Sequence, residues 1–256
     1  MADDRWRNDD AYAYQKELSL AGVAWEFLRR HEGYQADHAA AVAEPSTITE
    51  PEVSPDPKWG LSLFADPDLA ADRQAVFWSR QVDPRVLILS GVDLAIGNVL
   101  RFDPAQWPGS LVQRRGADGV HLLLRFGREE HRLWTPQPLA IGQALVVAQP
   151  LDAHLPIRAE AAARLFRRLS KPRSPPAKPG RHVLIRRAIM MLRALDGRAA
   201  GASQRLIAEV LLGARCLTPR EWEDCAARAM TARLLRAAAA LKAGGYLDFL
   251  RRGRDR

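Results

Sequence analysis

A chain of 256 residues that is 47% hydrophobic and 27% charged can bury a sizeable core and has the composition of a globular protein, which excludes wholesale disorder and fibrous repeats. Its longest apolar-looking run, residues 139–148, is broken by Gly142 and Gln143 and falls far short of the roughly 18 residues a membrane-spanning helix needs. The net charge of +8 is sorted along the chain: residues 156–256 carry 23 Lys and Arg against 8 Asp and Glu, which leaves the first 155 residues net acidic.

Met1 to Asp10 hold four aspartates where a secretory signal would be basic and then apolar, so the expected location is the cytoplasm. Asp9 or Asp10 is placed to cap a first helix through Leu18. Ser19 caps a second through Arg30, in which Val23, Ala24, Phe27 and Leu28 recur at helical spacing. Trp6, Tyr12, Tyr14, Trp25, Phe27 and Tyr34 give this small N-terminal helical unit, residues 1–43, an aromatic complement that reads as core packing. The surrounding carboxylates disfavour stacking on bases. Residues 44–58 contain four prolines and no periodicity and read as a linker.

A central α+β unit is expected over residues 59–170. It opens on Trp59-Gly60-Leu61, turns at Asp66-Pro67 and reaches a strand at Arg85 to Leu89. Leu111 to Gln113, Val120 to Phe126 and His131 to Trp134 then read as short strands of a small antiparallel sheet. The hairpin signals are Ala117-Asp118-Gly119 and, more weakly, Phe126-Gly127-Arg128. His121 and His131 are expected as a cross-strand pair. A helix over Pro156 to Leu169 places Ala162, Leu165, Phe166 and Leu169 on one face and Arg158, Arg164, Arg167 and Arg168 on the rest. Residues 171–181 form a second linker, in which Lys171, Arg173, Lys178 and Arg181 are interleaved with four prolines. Such a basic extended arm either tethers domains or follows a phosphate backbone.

The last segment, residues 182–256, reads as a helix-turn-helix-like helical domain, so the fold class is α+β. A helix from His182 to Leu195 is ended by Gly197, Ser203 caps a short one over Gln204 to Leu212, and Gly213 stops it. Thr218 and Pro219 then start a long helix, whole or continued, through Lys242. At about 100° per residue, Met230, Leu234, Ala237, Ala238 and Leu241 share its inner side. Arg228, Ala232 and Arg236 lie opposite, Thr231 and Arg233 flank them, and Leu235 projects near the outer strip. Small side chains between arginines let a helix sit deep in a major groove while guanidinium groups reach guanine edges or phosphates. The expected DNA-binding residues are therefore Arg205, Arg228, Thr231, Ala232, Arg233 and Arg236, with Lys171, Arg173, Lys178 and Arg181 of the arm. Charge supports the same partner, because a basic module joined to an acidic one faces a polyanion, and nucleic acid is the default polyanion.

Enzyme chemistry has little to stand on. There is no Gly-rich phosphate loop and no nucleophile elbow, and the histidines at 31, 38, 121, 131, 154 and 182 show no ligand spacing. Cys216 and Cys225 lack the partners of a zinc site or a disulfide framework, so no metal or cofactor is expected.

Residues 192–213, with Asp196-Gly197-Arg198 inside them, and residues 239–250, with Gly244-Gly245-Tyr246, resemble the C-terminal DNA-binding domain of RovC-type transcription factors. Residues 6–14 and 24–34, with Trp59-Gly60-Leu61 and Val76-Phe77-Trp78, resemble the regulator-like domain that commonly precedes it. The resemblance implies a proteobacterial transcriptional activator of a kind often encoded on mobile elements or near secretion genes. Its partners would be double-stranded DNA and RNA polymerase or another regulator; independently, a single small head covers too few base pairs for genomic selectivity, so a homo-oligomer is expected. Short proteins with this domain can act as anti-activators, so the competing reading is a regulatory protein-binding module without DNA contact. Glu221, Glu223 and Asp224 at the start of the third helix would repel phosphates and shift base reading to Arg228 and beyond.

Overall fold

The computed structural model describes residues 4–43, 52–93, 97–127, 129–171, 182–215 and 218–251. The chain opens with two 3-10 helices, Asp4–Arg7 and Asp10–Glu17. Asp9 holds the capping position of the second without a side-chain cap bond. Helix α1, Leu20–Leu28, starts where expected: the Ser19 hydroxyl accepts from the Gly22 amide at 3.1 Å. The same hydroxyl donates to Glu130 at 2.6 Å and ties the helix start to the sheet. Helix α2 follows over Glu32–Ala43.

Five strands form one α+β sheet: β1 Leu87–Val92, β2 Ser110–Gly116, β3 Gly119–Phe126, β4 Glu129–Thr135 and β5 Ala144–Ala148, in the order β2-β3-β4-β1-β5. The hairpin from β2 to β3 turns at residues 117–118, with Gly119 at φ 140°. The sheet departs from the expected antiparallel one. β1 runs parallel to β4, with Leu87 opposite Leu133, and β5 completes the far edge antiparallel to β1. Alternation within a strand marks its two faces but carries no information on the direction of its neighbour. The register also separates the two histidines: His121 stands opposite Trp134, and His131 opposite Leu124. His121 instead meets Asp118 at 2.8 Å, and His131 lies 3.2 Å from Glu129.

Helix α3, Leu155–Ser170, packs on the sheet, but its buried stripe is Arg158, Ala161, Leu165 and Arg168, while Phe166 is 57% exposed. The expected face is displaced: Leu165 is buried and Ala162 and Leu169 still pack at the edge of the core, but two arginines with fixed partners turn inward beside them. Arg168 donates to Glu129 and stacks 4.1 Å over the Phe126 ring, and Arg158 pairs with Asp152 and donates to the Pro150 carbonyl at 2.8 Å. Beneath the sheet lie Leu87, Leu89, Phe102, Leu122, Leu124 and Leu133, covered by Ala161 and Leu165.

The larger core lies elsewhere. Trp6, Trp25, Phe27 and Tyr34 pack with Trp59 and Trp78 and with Ile185, Leu192, Ile207 and Phe249. Trp6, Tyr12, Trp25, Phe27 and Tyr34 are therefore core, shared with the C-terminal helices, while Tyr14 is half-buried outside it. Among the described residues no helix is long and apolar enough to cross a membrane.

Two carboxylates of β4 hold the sheet to its surroundings. Glu129 is kept at about 2 by the adjacent His131 ring and then by hydrogen bonding from Arg168, against the opposing effect of burial. For Glu130 burial would raise the value, and Arg132 and Arg125 reverse it, again to about 2. Both folded-state values lie below the ordinary 4.5, so their stabilisation is complete above that pH and is lost as pH falls from about 4.5 toward 2. Urea midpoints measured at pH 7, 5 and 3 are expected to drop mainly over the last interval. Glu130→Gln should lower the pH 7 midpoint and flatten this dependence.

Candidate nucleic-acid interface

The C-terminal helices are α4 His182–Ala199, α5 Gln204–Leu212, α6 Pro219–Asp224, α7 Ala226–Lys242 and the short α8 Asp248–Arg251. Gly197 does not end α4. The helix runs on to Ala199, and Gly201 at φ 80° follows it. Gly197 is instead a close-packing position, where an added Cβ would meet the Trp6 ring at 3.0 Å. The Ser203 hydroxyl caps α5 by accepting from the Leu206 amide, and Gly213 at φ 66° closes it. Thr218 and Glu221 cap α6 reciprocally, and an extended Cys225 then separates α6 from α7. Cys216 lies outside the described residues.

Helix α7 packs against both α4 and α5, and the Gln204 side chain donates to the Arg228 carbonyl at 3.2 Å to pin its first turn. Its buried residues are Thr231 and Ala238, with Leu234, Leu235 and Leu241 partly buried beside them. The inner side is thus turned by roughly 60° from the one expected, at 100° per residue. Met230, assigned to the core, is 48% exposed, and Leu235 packs inward.

Thr231 is removed from the reading face by this rotation. It is fully buried, and its hydroxyl donates to the Ala227 carbonyl at 2.8 Å. The outermost line becomes Ala229, Arg233, Arg236 and Ala240, all exposed. Arg236 makes a long bond of 3.4 Å to the Ala232 carbonyl, and Ala232 is half-buried at the edge of the line. Arg228 is exposed at the opposite edge from Met230 and donates to the Glu223 carbonyl at 3.3 Å. Arg205 is half-buried on α5 and paired with Glu209 at 3.1 Å. Lys171 is exposed at the end of α3, whereas Arg173, Lys178 and Arg181 lie outside the described residues.

What positions these helices was not anticipated from the sequence. The Asp196 carboxylate of α4 accepts from Arg30 through two nitrogens, at 2.7 and 2.8 Å, and from the Tyr12 hydroxyl at 2.6 Å. Arg30 also donates to Oε2 of the fully buried Glu26, the same oxygen that accepts from Arg29. Burial would raise the Glu26 carboxyl, and Arg30 and Arg29 reverse this and hold it below the usual range. For Arg30 burial works against the charge, and bonding to Asp196 more than restores it, so its value is raised. At the other end of the bundle the buried Tyr246 donates to the Trp59 carbonyl at 3.1 Å, Phe249 stacks on Phe27 at 6.0 Å, and Lys242 pairs with Glu32. The signal for this docking was present in Asp196-Gly197-Arg198 and Gly244-Gly245-Tyr246, whose residues hold the helices in place.

Asp196→Ala would leave the Arg30 guanidinium and the Tyr12 hydroxyl short of an acceptor. It is expected to cost about 3 kcal/mol of folding stability in urea titration, with a smaller loss for Asp196→Asn.

Residues 148–251 match the family model described as a type VI secretion transcription factor DNA-binding domain, RovC_DNA-bd. Residues 5–63 match that of the proteobacterial transcriptional regulator-like domain. No curated protein matches the chain. The first segment carries α3 to α8 and with them the arginine line of α7, and the second carries Tyr12, Arg30 and Trp59. With residues 5–63 similar to a regulator-like domain and residues 148–251 similar to the DNA-binding domain of a transcription factor, the protein is a transcriptional regulator with a DNA-binding domain.

Proposed function

We propose that this protein is a cytoplasmic transcriptional activator that recognises specific duplex sequences by inserting α7 into the major groove. The observation that carries the reading is the exposed line of Ala229, Arg233, Arg236 and Ala240 within the segment matched to a DNA-binding family. Residues three apart on a helix lie about 5–6 Å from each other, so the two guanidinium groups can address neighbouring base pairs. Alanines on either side of them allow the backbone to approach the groove floor.

Arg228, at the edge of this line, is suited to a phosphate. The exposed carboxylates of Glu223 and Asp224 keep the preceding turn away from the backbone. The basic arm from Lys171 through Arg173 and Lys178 to Arg181 adds sequence-independent attraction. A single helix spans few base pairs, which favours action as a homo-oligomer on repeated half-sites, with RNA polymerase or another regulator as the protein partner.

Arg233→Ala and Arg236→Ala are each expected to weaken binding to a selected genomic duplex by about 1–3 kcal/mol, measured by fluorescence anisotropy. Thr231→Ser should leave it unchanged. Wild-type affinity in both arginine variants would move the reading surface away from α7. Replacing the four basic residues of the arm with alanine should weaken all duplexes alike and reduce the salt slope by about 0.9 per lost phosphate contact. An unaltered slope would make the arm a plain tether.

A further inference from the structure

A groove of about 390 Å³ lies where the N-terminal 3-10 helix meets α4 and the end of α5. Its apolar surface comes from Ile189, Met190 and Leu211, and its charged surface from Lys16, Arg186, Arg193 and Asp9. Asp9 is shared by Lys16 at 3.1 Å and Arg193 at 2.9 Å, so one carboxylate stands against three cations. Arg186 is exposed and makes no ion pair among the described residues. Arg193 is held firmly, donating to the carbonyls of Trp6 and Arg7 at 2.9 Å each, which fixes its guanidinium before any ligand arrives.

We propose that this groove binds a small amphipathic anion, an organic phosphate or carboxylate whose apolar or aromatic body covers Ile189, Met190 and Leu211. The volume falls in the range of small-molecule sites, and such sites favour seams between structural units. An excess of cations over carboxylates beside an apolar wall selects a ligand with the same division, because charge-assisted hydrogen bonds fix one end while burial of apolar area holds the other. The three cations come from both sides of the seam, Lys16 from one and Arg186 and Arg193 from the other. An occupant therefore stabilises the docked arrangement by mass action.

Phenyl phosphate serves as the probe, added to the full chain and followed by calorimetric titration and thermal melting. Saturable binding with a rise in Tm is expected, with inorganic phosphate weaker and benzyl alcohol without effect. Arg186→Ala and Lys16→Ala should each weaken phenyl phosphate about tenfold, and Arg233→Ala should not, which separates this site from the reading of DNA by α7. Absence of saturable binding overturns the proposal, as does binding that ignores both Lys16→Ala and Arg186→Ala. Equal affinity for inorganic phosphate would also overturn it, by removing the role of the apolar wall. If the two substitutions weaken duplex binding while the wild-type protein ignores phenyl phosphate, the groove is a DNA backbone contact and the proposal fails.

Discussion

The Asp196 carboxylate is the point on which the arrangement of the helices depends. It receives a two-pronged Arg30 and the Tyr12 hydroxyl, groups that lie more than 160 residues earlier in the chain. Arg30 in turn satisfies Glu26, whose second oxygen accepts the Ala71 amide at 3.0 Å. A chain of charge-assisted bonds thus connects the start of the protein, the loop before the sheet and the first C-terminal helix. Such a network specifies one arrangement sharply, because each member left without its partner would be a poorly solvated charge. Around it, Trp6, Trp25 and Phe27 supply the apolar area that burial rewards.

Much of the local structure was legible in the sequence. Ser19, Ser203 and Thr218 cap the helices they announce, Gly213 closes the short α5, and the Asp118-Gly119 turn joins two paired strands. These features depend on neighbours within four residues, which is the range over which side-chain chemistry dictates backbone geometry. What was not legible depends mostly on distant partners. The parallel pairing of β1 with β4, the inward turn of Arg168 toward Glu129 and the packing of α7 on α4 and α5 each involve residues outside the local stretch, whereas Arg158 turns inward to Asp152 and Pro150 in the loop just before its own helix. Arginine was read as outward by its charge. Glu129 and Asp152 show why that reading fails here: a matched carboxylate makes the inner face of α3 acceptable to a guanidinium.

The reading face was legible only in part. The residue types on α7 were identified, but helical periodicity alone could not choose between an inner side centred near Met230 and one centred near Ala238. Thr231 marks the difference, since its hydroxyl bonds back to the Ala227 carbonyl and removes the need for an outside partner. The most recognisable short motifs, around Asp196 and Tyr246, proved to be docking elements. The charge division along the chain has a matching physical account. Acidic residues near the N-terminus are partly consumed as counterions for C-terminal arginines and lysines, as in Asp9 with Arg193 and Glu32 with Lys242.

The absence of a side chain at Gly197 makes its neighbour's identity a matter of mutual size. Even one methyl group there would press on the indole of Trp6, and the nearest Ile207 carbon at 3.4 Å leaves little slack on the other flank. A bulkier residue at 197 requires either that the Trp6 indole give by a few tenths of an ångström or that a smaller side chain stand at position 6, so the sizes of the two residues constrain each other. That contact ties the opening turn of the polypeptide to the last turn of α4, nearly two hundred positions later.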